Sequence, residues 1–148
     1  MNSMTTIHAS AVLVGPKAVL IRGASGSGKS RLAFALIEAG RTGALPFAQL
    51  IGDDRVHVEA RHGRLLVRPA QELAGLIEIR GLGIRRLPFE PLGVVDLVVD
   101  LGAPGPRLPA PEEGATLKGI ALPRLAVAAA DEALFSILAM LQSIPSTD

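Results

Sequence analysis

The 148-residue chain contains no cysteine, tryptophan or tyrosine, and four phenylalanines are its only aromatic residues. Because thiols are absent, it can form neither disulfides nor thiolate metal sites, which is compatible with a reducing cytoplasm. So few aromatic rings argue against the base-stacking surfaces of proteins that bind single-stranded nucleic acid. A formal net charge of +1 gives no electrostatic reason to expect nucleic acid either. We therefore predict no nucleic-acid partner.

The sequence also lacks long hydrophobic runs. No apolar stretch approaches the ~18 residues that a membrane span needs, and the first six residues lack the basic-then-apolar layout of a signal peptide. We expect a cytoplasmic protein with no membrane partner. Hydrophobic residues still make up 49% of the chain, which is enough to bury the core of a single domain spanning residues 1–148.

A glycine-rich segment at residues 23–30 fits the pattern G-x-x-x-x-G-K-[ST] of a phosphate-binding P-loop. Its residues are Gly23, Ala24, Ser25, Gly26, Ser27, Gly28, Lys29 and Ser30. An apolar run at residues 18–21 predicts a strand before it, and apolar residues at helical spacing predict a helix after it that stops at Gly40.

This order of strand, loop and helix lets backbone N–H groups and the helix dipole converge on one anion. Lys29 would then reach the β- and γ-phosphates of a nucleotide, and the Ser30 hydroxyl would bind Mg²⁺. The alternative is an ordinary Gly/Ser turn that ends in Lys-Ser.

The remaining patterns predict mainly strands. Residues 7–14 and the strand that enters the P-loop form one predicted hairpin, and the runs at 56–59 and 65–67 form a second. Residues 94–101 are the most strand-like run, and we expect a helix over about residues 131–142. The Pro- and Gly-rich segment 102–116 is either a mobile functional loop or an ordinary solvated connection.

Two acidic residues, Asp53 and Asp54, follow a short apolar strand at residues 49–52. They would lie at the C-terminal edge of the sheet, beside the phosphates, if that strand neighbours the P-loop strand. Adjacent strand residues point to opposite faces, so the two carboxylates should differ in role. Further along, Glu78 and Arg80 are two apart on a predicted strand and share a face. They are either an Mg²⁺ ligand and a phosphate clamp or an ordinary cross-strand ion pair.

Together these residues resemble the catalytic domain of the bacterial HPr kinase/phosphorylase family. Three segments carry the resemblance: the P-loop, Leu-Ile-Gly-Asp-Asp-Arg-Val at residues 50–56, and Leu-Ile-Glu-Ile-Arg-Gly-Leu-Gly-Ile at residues 76–84. The last fits the family signature Glu-Ile-Arg-Gly-x-Gly. The match extends upstream to His8 and downstream through Arg107-Leu108, and it covers about residues 5–127.

The resemblance implies an α/β P-loop domain with a mixed β-sheet, similar to the phosphoenolpyruvate carboxykinase-like kinase fold. It also implies a kinase that uses ATP and Mg²⁺ to phosphorylate a serine of an HPr-like phosphocarrier of the phosphotransferase system. Family members can run the reverse phosphorolysis with inorganic phosphate, and they assemble as hexamers.

The same resemblance implies roles for individual residues. Asp53 would be the general base toward the serine hydroxyl and the acid in phosphorolysis, with His8 nearby. The resemblance assigns the binding or orientation of Mg²⁺ to Ser30, Asp54 and Glu78. It assigns the phosphates to Lys29 and Arg80, and it implies that Arg107 would close over the transferred group.

The chain departs from the family pattern in several places. It resembles a short form without the separate N-terminal domain, and about seven extra residues, 42–48, lengthen the loop before Asp53. Arg31 stands where the family commonly has Glu, and residues 126–132 replace the family segment Pro-Val-Arg-Pro-Gly-Arg-Asn. The alternatives to an HPr kinase are a P-loop kinase with another acceptor and a regulatory module that binds nucleotide without turnover.

Overall fold

The computed structural model of the protein describes residues 5–102 and 114–142. Two α-helices lie within these ranges, α1 (Lys29–Arg41) and α2 (Ala130–Leu141), together with a short 3₁₀ turn at Gln71–Leu73. The strands are β1 (Thr5–Ile7), β2 (Ala9–Val14), β3 (Lys17–Arg22), β4 (Ala48–Gly52), β5 (Val56–Arg61), β6 (Arg64–Pro69), β7 (Leu76–Ile79), β8 (Gly83–Arg86), β9 (Gly93–Leu101), β10 (Ala115–Leu117), β11 (Ile120–Leu122) and β12 (Arg124–Val127).

Most of the strands form one mixed sheet in the order β1-β5-β6-β9-β3-β2-β4, with β12 paired to β9. The central strand β3 is antiparallel to β2 and parallel to β9. Since β4 is antiparallel to β2, it runs in the same direction as β3. The strands β3, β4, β9 and β12 therefore all end at the same edge of the sheet. The predicted α/β domain with a mixed sheet is confirmed.

Both predicted hairpins are present. Strands β2 and β3 pair through a two-residue turn at Gly15 and Pro16, and β5 pairs with β6 across His62 and Gly63. The predicted strand at 7–14 is, however, two strands. Its first residue belongs to β1, which pairs with β5 rather than with β3, and a bend at His8 separates β1 from β2.

The predicted stop of α1 at Gly40 is wrong, because the helix continues to Arg41. A Cβ atom at Gly40 would lie 2.7 Å from the backbone nitrogen of Ala48. The glycine is therefore needed for the close approach of β4 to the helix, not to end it. The left-handed conformation typical of a helix C-terminus falls instead on Gly43, at φ +88°.

The sheet separates two apolar clusters. On one face the two helices pack against the central strands, and on the other face apolar residues of β5, β6 and the β10–β11 hairpin cluster with those of β2, β3 and β9. The helix-side cluster includes Ile21, Leu32, Leu36, Val99 and Ile137, and the opposite cluster includes Leu20, Val58, Val67, Val98 and Leu122. Both faces are thus covered, which leaves the edge where the parallel strands end for chemistry. Neither α1 nor α2 combines the length and the apolar character that a membrane-crossing helix requires.

Candidate active site

The glycine-rich loop joins β3 to α1 at this edge of the sheet. Gly26 and Gly28 have φ values of +85° and +104°, a region that only glycine enters at little cost, so the loop curls tightly before α1. Lys29 begins the helix and is 7% exposed. Its Nζ donates to the carbonyl oxygens of Gly23 at 2.8 Å and Ala24 at 3.2 Å. The lysine is thus held over the loop that precedes it.

One buried side-chain polar atom of the loop has no hydrogen-bond partner in the described part of the chain. The Ser27 Oγ is buried and makes no hydrogen bond there. A Cβ atom at Gly23 would collide with this hydroxyl, so a glycine at position 23 is needed to leave room for the Ser27 side chain. An unpaired buried hydroxyl beside a curled backbone and the start of a helix is the set of groups that a phosphate would satisfy. The residues present therefore fit the phosphates of a nucleotide.

Asp53 follows β4 and is 4% exposed. Its carboxylate accepts hydrogen bonds from Ser30 Oγ (2.7 and 2.8 Å to the two oxygens), Ser10 Oγ (2.6 Å) and the backbone nitrogen of Glu78 (3.1 Å). The structure thus joins the P-loop helix to the predicted acid.

Asp53 lies close to the P-loop helix for a different reason from the predicted one, which was that its strand would neighbour the P-loop strand. Strand β4 does not neighbour β3, because β2 lies between them. Asp53 still lies beside the loop because β3 and β4 run in the same direction and end at the same edge. Ser10, on the intervening strand β2, spans the gap.

The other predicted metal ligands lie around Asp53. Asp54 is exposed and has φ +68°, an uncommon conformation for a non-glycine residue. Glu78 is an exposed residue of β7 whose backbone bonds Asp53. No group of three or more His, Asp or Glu side chains lies close enough to hold a metal ion within residues 5–102 and 114–142. The predicted set, in which a Ser30 hydroxyl joins two carboxylates, therefore stays a prediction.

The remaining predicted residues are two exposed side chains and one residue that lies outside the described ranges. His8 is exposed at the bend before β2, and Arg80 is exposed just after β7 ends at Ile79. Arg80 is therefore in a turn rather than on a strand, which corrects the prediction that it shares a strand face with Glu78. Arg107 lies outside the described residues.

An ion cluster that the sequence analysis missed lies on the other side of the loop. Asp100, near the end of β9, accepts bonds from Arg22 at 2.7 and 2.8 Å and from Arg124 at 2.5 Å. Partial burial acts to raise the pKa of Asp100, but the bonds and charges of Arg22 and Arg124 outweigh it, so this pKa lies below its usual range. The bond to Asp100 raises the pKa of Arg22. Since Arg22 immediately precedes Gly23, the cluster fixes the strand that enters the loop.

The C-terminal helix also contacts the loop. A Cβ atom added to Gly28 would lie 3.1 Å from the Cβ of Ala130, the first residue of α2. The two helices thus begin side by side at the carboxyl edge of the sheet. An exposed ion pair between Arg31 and Asp131, at 3.6 Å, adds little to this contact.

A mixed sheet with a glycine-rich loop between β3 and α1 defines an α/β domain of the P-loop class. Comparison with known proteins then identifies the family. The model of the HPr serine kinase C-terminal domain matches residues 1–87. The chain belongs to this family, as the sequence resemblance predicted.

Two relatives agree with this assignment. The chain is 42% identical over 81 residues to HPr kinase/phosphorylase of Streptococcus thermophilus (strain ATCC BAA-491 / LMD-9), covering 54% of this chain and 24% of that protein. It is 34% identical over 135 residues to HPr kinase/phosphorylase of Limosilactobacillus reuteri (strain DSM 20016), covering 82% and 40%. The matches thus span less than half the length of these relatives.

The fold is similar to a solved structure of the Hpr(Ser) kinase/phosphatase from Coxiella burnetii. The TM-score is 0.75 and the sequence identity is 24%, and the match covers 93% of this chain and 94% of that one. The structural match therefore covers more of the chain than the residues 1–87 that the family model matches.

Proposed function

We propose that the protein is a cytoplasmic kinase that transfers the γ-phosphoryl group of ATP, with Mg²⁺, to a serine of an HPr-like phosphocarrier protein and so regulates the phosphotransferase system. The observation that carries the proposal is the contact between Ser30 of the P-loop helix and the buried carboxylate of Asp53. Family membership supports the choice of acceptor. The matched relatives are much longer than this chain, so the activity is our proposal and does not follow from family membership alone.

Binding of ATP is assigned to the loop between β3 and α1. The backbone N–H groups at residues 23–30 and the unpaired Ser27 hydroxyl would surround the phosphates, and Lys29 would turn from the Gly23 and Ala24 carbonyls toward them. Arg80, exposed beside the site, is proposed to hold a terminal phosphate oxygen, because a guanidinium group matches phosphate in a bidentate geometry.

Metal binding is assigned to Ser30, Asp54 and Glu78. A hydroxyl and carboxylate oxygens are ligands that Mg²⁺ accepts, and both acidic side chains are exposed. The ion would supply charge neutralisation on the transferred group.

Asp53 is proposed to receive the proton of the acceptor serine. In the forward reaction the serine oxygen forms a bond to the γ-phosphorus, the bond from that phosphorus to the β–γ bridging oxygen breaks, and ADP leaves. The serine proton passes to the Asp53 carboxylate, which is buried and precedes the exposed Asp54 in the chain. His8 and Arg107 complete the proposed set. In phosphorolysis Asp53 would return the proton.

The test is mass spectrometry of the HPr-like protein from the same genome after incubation with the purified chain, ATP and Mg²⁺. We expect one phosphoserine, no product with Lys29→Ala, and loss of product when excess inorganic phosphate is added to the phosphorylated protein. Transfer to another acceptor while HPr stays unmodified would instead support a kinase of different specificity. Tight ATP binding with no transfer to any acceptor, unaffected by Asp53→Ala, would support a regulatory module.

A further inference from the structure

We propose that Ser10 is a positioning residue that sets the orientation of both Asp53 and Asp54; this inference rests on the proposed function. Ser10 lies on β2, between the P-loop strand and β4, and is fully buried. Its hydroxyl donates to Asp53 Oδ1 at 2.6 Å and accepts from the backbone nitrogen of Asp54 at 3.3 Å. One side chain on a neighbouring strand therefore contacts both acidic residues.

The first effect of Ser10 is on the backbone turn. Asp54 adopts φ +68°, and the residue after it closes a tight turn in which the nitrogen of Arg55 donates to the Asp53 carbonyl oxygen at 2.7 Å. A left-handed conformation of a non-glycine residue costs free energy and persists only where its surroundings hold it. The Ser10 hydroxyl is one such restraint, because it satisfies the Asp54 N–H from outside the turn. Ser10 thus fixes the direction in which the Asp54 side chain leaves the chain.

The second effect is on the Asp53 carboxylate. Within the described ranges, the donors to the buried Asp53 carboxylate are two serine hydroxyls and one backbone N–H, all of them neutral groups. Ser30 has a single proton, which is shared between the two oxygens. Ser10 donates to Oδ1 only, and the Glu78 nitrogen donates to Oδ2 only. These two bonds, from opposite sides, determine the rotation of the carboxylate about its terminal torsion.

This rotation matters for proton transfer. The terminal torsion of an aspartate has a broad, roughly two-fold profile, so an unrestrained carboxylate samples many orientations. A general base must present a free lone pair within hydrogen-bond reach of the proton that it accepts. Because Ser10 bonds Oδ1 and the Glu78 nitrogen bonds Oδ2, the Asp53 carboxylate is held in one orientation. Its remaining lone pairs therefore point in fixed directions. Loss of Ser10 should therefore lower the rate of the chemical step and leave nucleotide binding unchanged.

The experiment compares Ser10→Ala with the wild-type chain, using phosphorylation of HPr under saturating ATP and a separate titration of nucleotide binding. We expect kcat to fall about 10- to 100-fold, the size of effect produced by small misplacements of catalytic groups, while the Kd for nucleotide changes less than about twofold. Ser10→Thr keeps the hydroxyl and should recover most of kcat. Ser136→Ala, which removes a half-buried serine of α2, is the matched control and should match wild type.

A double-mutant comparison separates positioning from a general loss of structure. In an Asp53→Asn background, Ser10→Ala should cause little further loss of kcat, because Ser10 acts through the group already removed. Should Ser10→Ala fail to fold, Ser10→Cys, a weaker donor of similar size, takes its place and should give an intermediate kcat.

Two results would overturn the inference while leaving the proposed function intact: a wild-type kcat for Ser10→Ala, or an undiminished further loss in the Asp53→Asn background. A wild-type chain that binds ATP but phosphorylates nothing would overturn the proposed function, and this inference with it.

Discussion

Replacement of Asp100 by asparagine tests whether the Arg22–Asp100–Arg124 cluster stabilises the fold beneath the phosphate loop. The substitution keeps the shape of the side chain but removes its charge, leaving two guanidinium groups without an anion. The carboxylate is 13% exposed and its partners are 31% and 27% exposed. This places the cluster between an exposed ion pair, worth about 0–1 kcal/mol, and a broken buried pair, which costs about 3–5 kcal/mol.

We expect Asp100→Asn to lower the free energy of unfolding by about 2–3 kcal/mol, because three charge-assisted bonds are lost from a partly buried site. For a chain of this length that corresponds to a fall of roughly 5–10 °C in Tm. Urea denaturation followed by circular dichroism at neutral pH measures the first quantity, and a thermal melt measures the second.

The same strand offers a matched control. Asp96 lies on β9 too, but its pair with Lys17 is longer, at 3.6 Å, and the two side chains are 46% and 60% exposed. Asp96→Asn should cost less than about 1 kcal/mol. Equal losses for Asp96→Asn and Asp100→Asn would refute the reasoning, because burial and geometry would then have no effect.

The pH dependence supplies a second check on the same variant. The folded-state pKa of Asp100 is lowered, so its stabilisation is fully present above the unfolded value of about 3.9 and is lost as pH falls through the folded pKa. The stability difference between wild type and Asp100→Asn should therefore be constant above about pH 5 and shrink below about pH 4. A difference that grows on acidification would show that the cluster does not act through this carboxylate.

Four further variants test other parts of the structure. Lys29→Ala should abolish measurable nucleotide binding and lower phosphoryl transfer by at least about 10³-fold, to below detection, since it removes the cation of the loop; unchanged binding in a fluorescence titration would place the phosphates elsewhere. Gly40→Ala should destabilise the fold by about 1–3 kcal/mol, because its methyl group would overlap Ala48; unaltered urea denaturation would contradict this. Asp54→Asn and Glu78→Gln should each raise the Mg²⁺ concentration needed for half-maximal activity without changing Tm in metal-free buffer, because both side chains are exposed; an unchanged Mg²⁺ dependence would remove them from the metal site.

Local patterns were sufficient to predict the P-loop, its flanking strand and helix, and both hairpins. In each case the signal lies within a few adjacent residues: glycines at fixed spacing, alternation of apolar and polar residues, or a two-residue turn. The contact of Asp53 with the loop helix was expected for an incorrect reason. Pairing of β4 with β2 rather than with β3 is a long-range choice that hydrophobic pattern does not encode.

Two site residues were missed although a signal existed. Asp100 lies near the end of an apolar strand, which is the same signal that drew attention to Asp53. Ser10 is a polar residue within the buried run of β2, and a buried hydroxyl needs a partner. The identity of those partners, Arg22 and Asp53, could not be predicted, since it depends on the order of strands in the sheet.

The contact between Gly28 and Ala130 joins the phosphate-binding loop to the first residue of α2. The first turn of α2 packs closely against the last glycine of the loop, where an added methyl carbon would lie 3.1 Å from the Ala130 Cβ, so α2 supports the phosphate-binding turn. A protease that trimmed this helix, or a binding protein that pulled it outward, would loosen the turn from behind without touching a single ligand-binding side chain. We therefore expect nucleotide affinity to fall when α2 is removed or displaced.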